Sequence, residues 1–382
     1  MMDEIDRLND PIIRIYNNIE ADLLREIAGQ FKVYDNIGGT MEWQVQKLDE
    51  LGGLNAHAVK IIEQWSGKAE SAILEMLTAA GYAFINKREL AEAYRANLFR
   101  IDPDVLMETP VLRNSVQNSF RETKEAFRLI NTKALESTRQ NYMDVINQSY
   151  LEVSSGVYDY NTSIRRGLLR MAERGITGAT YQRSNGKIVR YSLEGTVRRD
   201  TLSANFKLAN ANSYAAAEEG GAEYMEITRH LGARIHPSNP IANHAGWQGK
   251  VFKIHGFDEN YGNLKTNTGY PDDIEGLGGV NCRHGMRMFF PGISSPKKDL
   301  FTAEENARKY KLTQQQRAKE REIRKLKKQC IVAEAAEDAV MLEATRKKLR
   351  NCQNAMNDWC KENGLKRDWN REMVTEELKR KE

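Results

Sequence analysis

Proline is scarce in this chain, with 8 residues in 382, and none falls between positions 297 and 363, a stretch that also lacks glycine. The two residues that most often break helices are therefore rare where they would matter most, which predicts long helices. Cysteine is scarce too: Cys282, Cys330, Cys352 and Cys360 are too few for a disulfide framework in so long a chain. That excludes a small disulfide-stapled scaffold and points to thiols and a reducing compartment during synthesis. No run approaches eighteen apolar residues, so a transmembrane helix and a membrane partner are not expected, and the chain is predicted to be soluble. The opening Met1-Met2-Asp3-Glu4-Ile5-Asp6-Arg7 is charged, with no apolar stretch behind it, unlike a signal peptide. Net charge is only +4, too small by itself to imply a nucleic-acid partner.

What is present is a solvated, helix-forming composition: 40% hydrophobic, 29% charged and a mean hydropathy of -0.65. The predicted class is mainly α with a smaller α+β domain, divided into a helical region over 1–155, a loop-rich α+β domain over 156–295 and a charged helical tail over 296–382. Near the N-terminus, apolar residues at 12, 15, 16, 19 and 23 mark one helical face. Gly38-Gly39 and Gly52-Gly53 then predict short helices joined by turns. Pro103 and Pro110 bracket a break, and Val111 to Ser155 contains neither glycine nor proline, which predicts one or two long helices. Asn185-Gly186 between β-prone runs predicts a hairpin with a two-residue turn, both residues at positive φ. Val197 to Ala217 reads as helix, and Glu223 to Thr228 alternates like a half-buried strand. In the tail, Ile323, Leu326, Cys330 and Ala333 suggest a seam that Val340 and Ala344 continue, although Glu337 and Lys347 fall on it. The expectation is a long helix or a helical hairpin.

Side chains able to do chemistry are concentrated between 230 and 284. Five of the six histidines (His230, His236, His244, His255 and His284) lie there, together with Cys282. Three readings compete. Imidazole and thiolate are good zinc ligands, but no CxxC or HxxxH pair occurs, and Cys282 and His284 are the only close pair. A second reading makes Cys282 a nucleophile with a histidine base and Arg283 stabilising an anion, or a metal-free His/Arg nuclease. The third, and preferred, is structural: these side chains satisfy backbone groups in irregular loops, no metal or cofactor is bound, and there is no catalytic residue. Gly276-Leu277-Gly278-Gly279 is not read as a phosphate loop, because no Lys-Ser/Thr pair follows it.

A longer pattern runs through the same region. Glu226-Ile227-Thr228-Arg229-His230-Leu231-Gly232-Ala233-Arg234 is followed by His244-Ala245-Gly246-Trp247-Gln248-Gly249-Lys250-Val251-Phe252. After Gly269-Tyr270 come Gly276-Leu277-Gly278-Gly279, Asn281-Cys282-Arg283-His284 and Phe290-Pro291-Gly292. This resembles the phage minor capsid protein 2 family, itself similar in its C-terminal motif to the Mu F-type head morphogenesis proteins. Tyr158-Asp159-Tyr160-Asn161, Arg165-Arg166-Gly167, Ala172-Glu173-Arg174-Gly175-Ile176, Gly52-Gly53-Leu54, Gly67-Lys68 and Asn363-Gly364-Leu365 extend the likeness over most of the chain. It departs from the family where Ile235 to Asn243 intervene and add His236. The resemblance implies a minor structural protein of a tailed phage or prophage, acting in head morphogenesis at the portal vertex. It also implies portal, capsid or scaffold partners, and a place inside the head near the portal after assembly in the host cytoplasm. Packaging and ejection with the DNA belong to the same reading. The family motif residues are His230, Arg234, His244, Trp247, Gln248, Gly249, Asn281, Cys282, Arg283 and His284. The alternatives are a Cys/His-dependent enzyme such as a nuclease, or a DNA-binding accessory protein.

Charge is distributed unevenly. Between Arg308 and Lys328 ten basic residues face two acidic ones. The ordinary fate of such a run is a solvated helix face. Its functional alternative is non-specific contact with packaged DNA through Arg317, Lys319, Arg321, Arg324, Lys325, Lys327 and Lys328.

Overall fold

The computed structural model describes residues 2–31, 40–182, 185–295 and 301–375. Its elements begin with α1 (Met2–Leu8) and α2 (Asp10–Gly29), where Ile12, Tyr16, Ile19 and Leu23 of the predicted face are buried, Ile15 is half-buried and Ile27 continues the stripe. Gly38-Gly39 lies outside the described residues. α3 (Thr40–Asp49) precedes α4 (Leu51–Ala80), which runs through Gly52 and Gly53 without a break. The predicted turn there is thus replaced by helix. Leu54, Ala58, Ile62, Ala69, Ile73, Met76, Leu77 and Ala80 are all buried along α4, and that burial outweighs the roughly 1 kcal/mol per glycine of lost helix propensity. α5 (Lys87–Arg95) starts at Asn86, whose side chain accepts from the Arg88 and Glu89 amides. The break bracketed by Pro103 and Pro110 is real, and α6 (Pro110–Ser154) follows as a single helix of 45 residues opened by proline at its first position.

Asp159 caps α7 (Tyr160–Arg174), and Gly175 ends it at φ +67°. β1 (Thr177–Gln182) and β2 (Ile188–Ser192) then pair antiparallel, with Gln182 opposite Ile188. The connection is therefore longer than the predicted two-residue turn, and Arg183 and Ser184 lie outside the described residues. Of the two predicted turn residues, Gly186 takes positive φ and Asn185 does not, while the Asn185 side chain accepts from the Lys187 amide in a local Asx turn. α8 (Leu193–Gly220) follows, then β3 (Tyr224–Ile227), α9 (His244–Trp247), β4 (Val251–Lys253), β5 (Gly262–Asn263), α10 (Leu264–Thr268) and β6 (Met286–Phe289). The sheet order is β5-β4-β3-β6, antiparallel except for β4 with β5. Met225 and Ile227 enter the apolar core, and Glu226 between them is buried against Arg287 rather than facing solvent.

The tail is a helical hairpin of α11 (Ala303–Ala335) and α12 (Ala339–Glu362). Glu337 does not sit on a seam: it is the left-handed residue of the turn, at φ +56°, and Asp338 caps α12 by accepting from the Met341 amide. Reversal there restarts the helical phase. Val340 and Ala344 are consequently exposed, and the buried residues of α12 are Met341, Thr345, Met356 and Cys360.

The chain divides into two compact units, and each draws on all three of the sequence segments. One comprises Met1–Asn9, Ser71–Glu125 and Arg199–Gln315. Its core joins Leu90, Phe99 and Leu112 to the sheet through Met225, Ile227, Trp247, Phe252, Met286 and Met288. The other comprises Asp10–Glu70, Ala126–Arg198 and Gln316–Glu382. Among the described residues, no helix is long and apolar enough to cross a membrane.

Candidate functional site

Pairing of β3 with β6 assembles the histidine cluster. Ile227 lies opposite Met286, and the ladder continues past it: Thr228 donates its amide to the Gly285 carbonyl (2.7 Å), and its hydroxyl accepts from the Gly285 amide (2.8 Å). His230, just beyond β3, is thereby brought against His284, just before β6. Their rings stack with centroids 4.4 Å apart. α9 supplies His244 and Trp247, whose rings stand 5.2 and 4.9 Å from that of His284. His244, Trp247, Cys282 and His284 are all at most 3% exposed.

Hydrogen bonding fixes the protons. The His230 amide donates to Gln248 Oε1 (3.0 Å), so that oxygen is an acceptor, and His284 Nε2, 3.2 Å from it, must carry the ring proton. Its Nδ1 lone pair then faces Cys282 Sγ at 3.7 Å. His244 Nε2 likewise donates to the Glu275 carbonyl (2.8 Å), which leaves its Nδ1 as acceptor. One ligand atom from each of His244, Cys282 and His284 falls within a 4.8 Å cluster. Burial lowers the His244 pKa to about 4 against the opposing pull of the Glu275 carbonyl. It also holds His284 well below its usual range, helped by His230, His244 and Arg234, and pushes the Cys282 thiol up. At neutral pH the cluster is two neutral imidazoles beside a thiol.

The glycine loop wraps this cluster. Arg234 donates to the carbonyls of Val280 (2.7 Å) and Glu275 (3.3 Å), the latter shared with His244. Close approach explains two of the glycines: a Cβ at Gly276 would lie 2.2 Å from the Thr268 carbonyl oxygen, and one at Gly279 2.2 Å from that of Ile274. The loop thus holds Arg234 and His244 through its carbonyls.

Other predicted residues go elsewhere. His236 accepts the Ser238 and Asn239 amides within the intervening segment, whose Ile241 carbonyl accepts from Trp247 Nε1 at 2.9 Å. His255 is exposed beside Glu218. Arg283 pairs with Asp6 (3.1 Å). Asn281 takes the left-handed φ of +58° that turns the chain into the cluster, and Gly249 (φ +72°) closes onto the Ile227 carbonyl. One residue missed by sequence reasoning is Asn210 of α8, fully buried, which donates to the His284 carbonyl and accepts the Met286 amide. The signal was there: Asn205, Asn210, Asn212 and Ser213, poor helix formers, recur inside a helix and are all buried.

On α11 the basic run is largely engaged. Lys328 pairs with Glu20 (2.6 Å), Lys325 with Glu173 (2.9 Å) and Arg324 with Glu194 (3.4 Å), while Lys327 is buried. Lys319 lies over the Trp359 ring and Arg317 is half-buried. Of the seven candidate DNA contacts, Arg321 alone is exposed, the others being half-buried or buried.

Comparison with known proteins identifies the chain. The family model described as "Phage minor capsid protein 2" matches residues 2–361. The protein belongs to that family. A "Structural protein" of Lactococcus phage LL-H is 21% identical over 353 residues, covering 87% of this chain and 88% of that one. No solved structure matches. The family match begins in α1 and ends in α12, so it covers most of both compact units of this minor capsid protein.

Proposed function

We propose that this minor capsid protein acts in head morphogenesis at the portal vertex of a tailed phage or prophage, is packaged inside the head and leaves with the DNA. The observation that carries the reading is the family match over residues 2–361, which covers the helical scaffold as well as the motif. Its partners are the portal protein and the capsid or scaffold proteins. Its place is the virion interior near the portal, reached from the host cytoplasm during assembly. Residues 1–155 supply the portal and capsid contacts, 156–295 form the motif domain and 296–382 form a charged helical tail.

The role is structural rather than catalytic in this reading. Cys282 is 1% exposed with its thiol pushed up by burial, which makes a poor nucleophile. The test is mass spectrometry of purified virions before and after DNA ejection, alongside co-purification with the portal protein. Presence in filled heads, loss on ejection and co-elution with the portal are expected. Absence from virions overturns the reading, and nuclease activity lost with Cys282→Ala in a folded protein would favour the enzyme instead.

A further inference from the structure

Three donors of the kinds that zinc prefers converge in one buried place. His244, Cys282 and His284 bring two ring nitrogens and a sulfur within 4.8 Å of one another. We propose that these three residues form a zinc site in which His244 Nδ1, His284 Nδ1 and Cys282 Sγ bind the ion and a fourth position stays open for water. Zinc fits this set of two imidazoles and one thiolate better than calcium or magnesium, which take oxygen ligands.

Ligand spacing supports the assignment. Zn–S and Zn–N bonds of about 2.3 and 2.0 Å at tetrahedral angles put sulfur and nitrogen about 3.5 Å apart. Cys282 Sγ and His284 Nδ1 stand at 3.7 Å. The 4.8 Å limit on the remaining separations leaves at most about 1.5 Å for the His244 ring to close.

The surrounding shell supports it independently. Zinc-ligating histidines characteristically donate the other ring N–H to a carbonyl or carboxylate, which orients the ring and fixes the tautomer. Both do so here: His244 Nε2 to the Glu275 carbonyl at 2.8 Å, and His284 Nε2 to Gln248 Oε1 at 3.2 Å. Gln248 is itself oriented by the His230 amide, and Glu275 lies in the loop clamped by Arg234. A backbone-satisfying role accounts for His244 Nε2, whereas His284 Nε2 meets a side-chain oxygen. It does not require ligand atoms of all three side chains to gather within 4.8 Å of one another.

Binding is a ligand exchange with a simple proton balance. The Cys282 S–H bond breaks, the Zn–S bond forms, and the proton leaves to solvent, so affinity rises with pH. The two imidazoles are already neutral and lose nothing. The bound zinc would tie the segment before β6 to α9, a cross-link within one unit.

The experiment uses the full chain, purified from zinc-supplemented medium, and measures bound metal by mass spectrometry. About one zinc per chain is expected, lost in Cys282→Ala and His284→Gln and retained when Cys330, Cys352 and Cys360 are all changed to alanine. Cobalt titration of the metal-stripped wild-type chain provides a readout that does not depend on any variant folding. A thiolate-to-cobalt charge-transfer band with the d–d spectrum of a four-coordinate site is expected. No zinc together with no thiolate–cobalt band overturns the proposal, as does zinc that persists in a folded Cys282→Ala chain.

Discussion

Lys328 Nζ lies 2.6 Å from Glu20 Oε1, joining residues 308 positions apart in sequence, and the same carboxylate oxygen accepts the Ile176 amide at 2.9 Å. Glu20 is 1% exposed. A buried carboxylate without its cation costs far more than an exposed pair contributes. Lys328→Met should therefore destabilise the chain by about 3–5 kcal/mol. Adding Glu20→Met should recover part of that loss, short of all of it because the Ile176 amide then lacks an acceptor. Urea denaturation of the four proteins in the cycle measures the coupling. Additive effects would show that the pair is not acting as one.

A second buried carboxylate sets a pH dependence. Burial by itself would raise the Glu194 pKa, but Arg324 and Arg198, the latter 2.7 Å away, hold it at about 2, against 4.5 unperturbed. The unfolded chain thus binds the proton more readily than the folded one. Glu194 contributes its full stabilisation above about pH 4.5 and loses it as pH falls toward 2, up to about 3 kcal/mol in all. Glu194→Gln should be less stable than wild type at pH 7, and the gap should shrink as the pH is lowered from 4.5 to 3. A gap of equal size at both ends contradicts the assignment.

How far the sequence spoke depended on the kind of interaction. The long α6 and the helical tail follow from runs without glycine or proline, a local property that propensity reads directly. The turn at Glu337 was hidden because a non-glycine residue takes the left-handed conformation there, and its signal, the capping Asp338, is short. The motif marked which histidines and which cysteine belong together. It did not mark the Glu275 carbonyl that orients His244, since a backbone acceptor is blind to residue type. Nor did a charge count reveal that Arg324, Lys325 and Lys328 face Glu194, Glu173 and Glu20, because those carboxylates lie far away in sequence.

The glycine loop offers a steric test. An alanine Cβ at Gly279 would stand 2.2 Å from the Ile274 carbonyl oxygen and 3.1 Å from that of Asp273, and backbone atoms cannot rotate aside as a flexible side chain would. Gly279→Ala should cost about 2–4 kcal/mol. Gly256, at positive φ but with nothing within 4 Å of an added Cβ, isolates the backbone strain. Gly256→Ala should lower the melting temperature less. Equal shifts in the two variants would mean that close packing of the loop is not what its glycines serve.

DNA contact by the tail is best tested by substitution, because truncation after Pro296 removes residues from both compact units and so confounds binding with folding. The cations of α11 divide into two sets. Arg308, Lys311 and Arg321 are exposed, whereas Lys325 and Lys328 are paired with carboxylates. Non-specific binding is driven by release of counterions from phosphates, so only cations able to reach a phosphate contribute to it. Changing Arg308, Lys311 and Arg321 to glutamine should weaken binding to duplex DNA and flatten the plot of log affinity against log salt by up to about 3. Changing Lys325 to glutamine should leave both nearly unaltered, because its ammonium sits between Glu173 and Glu322. Fluorescence anisotropy between low and physiological salt measures both quantities. Equal salt slopes in the wild type and the triple variant, or no binding by the wild type at low salt, would remove DNA from the roles of this helix and leave it to the ion pairs with Glu20, Glu173 and Glu194.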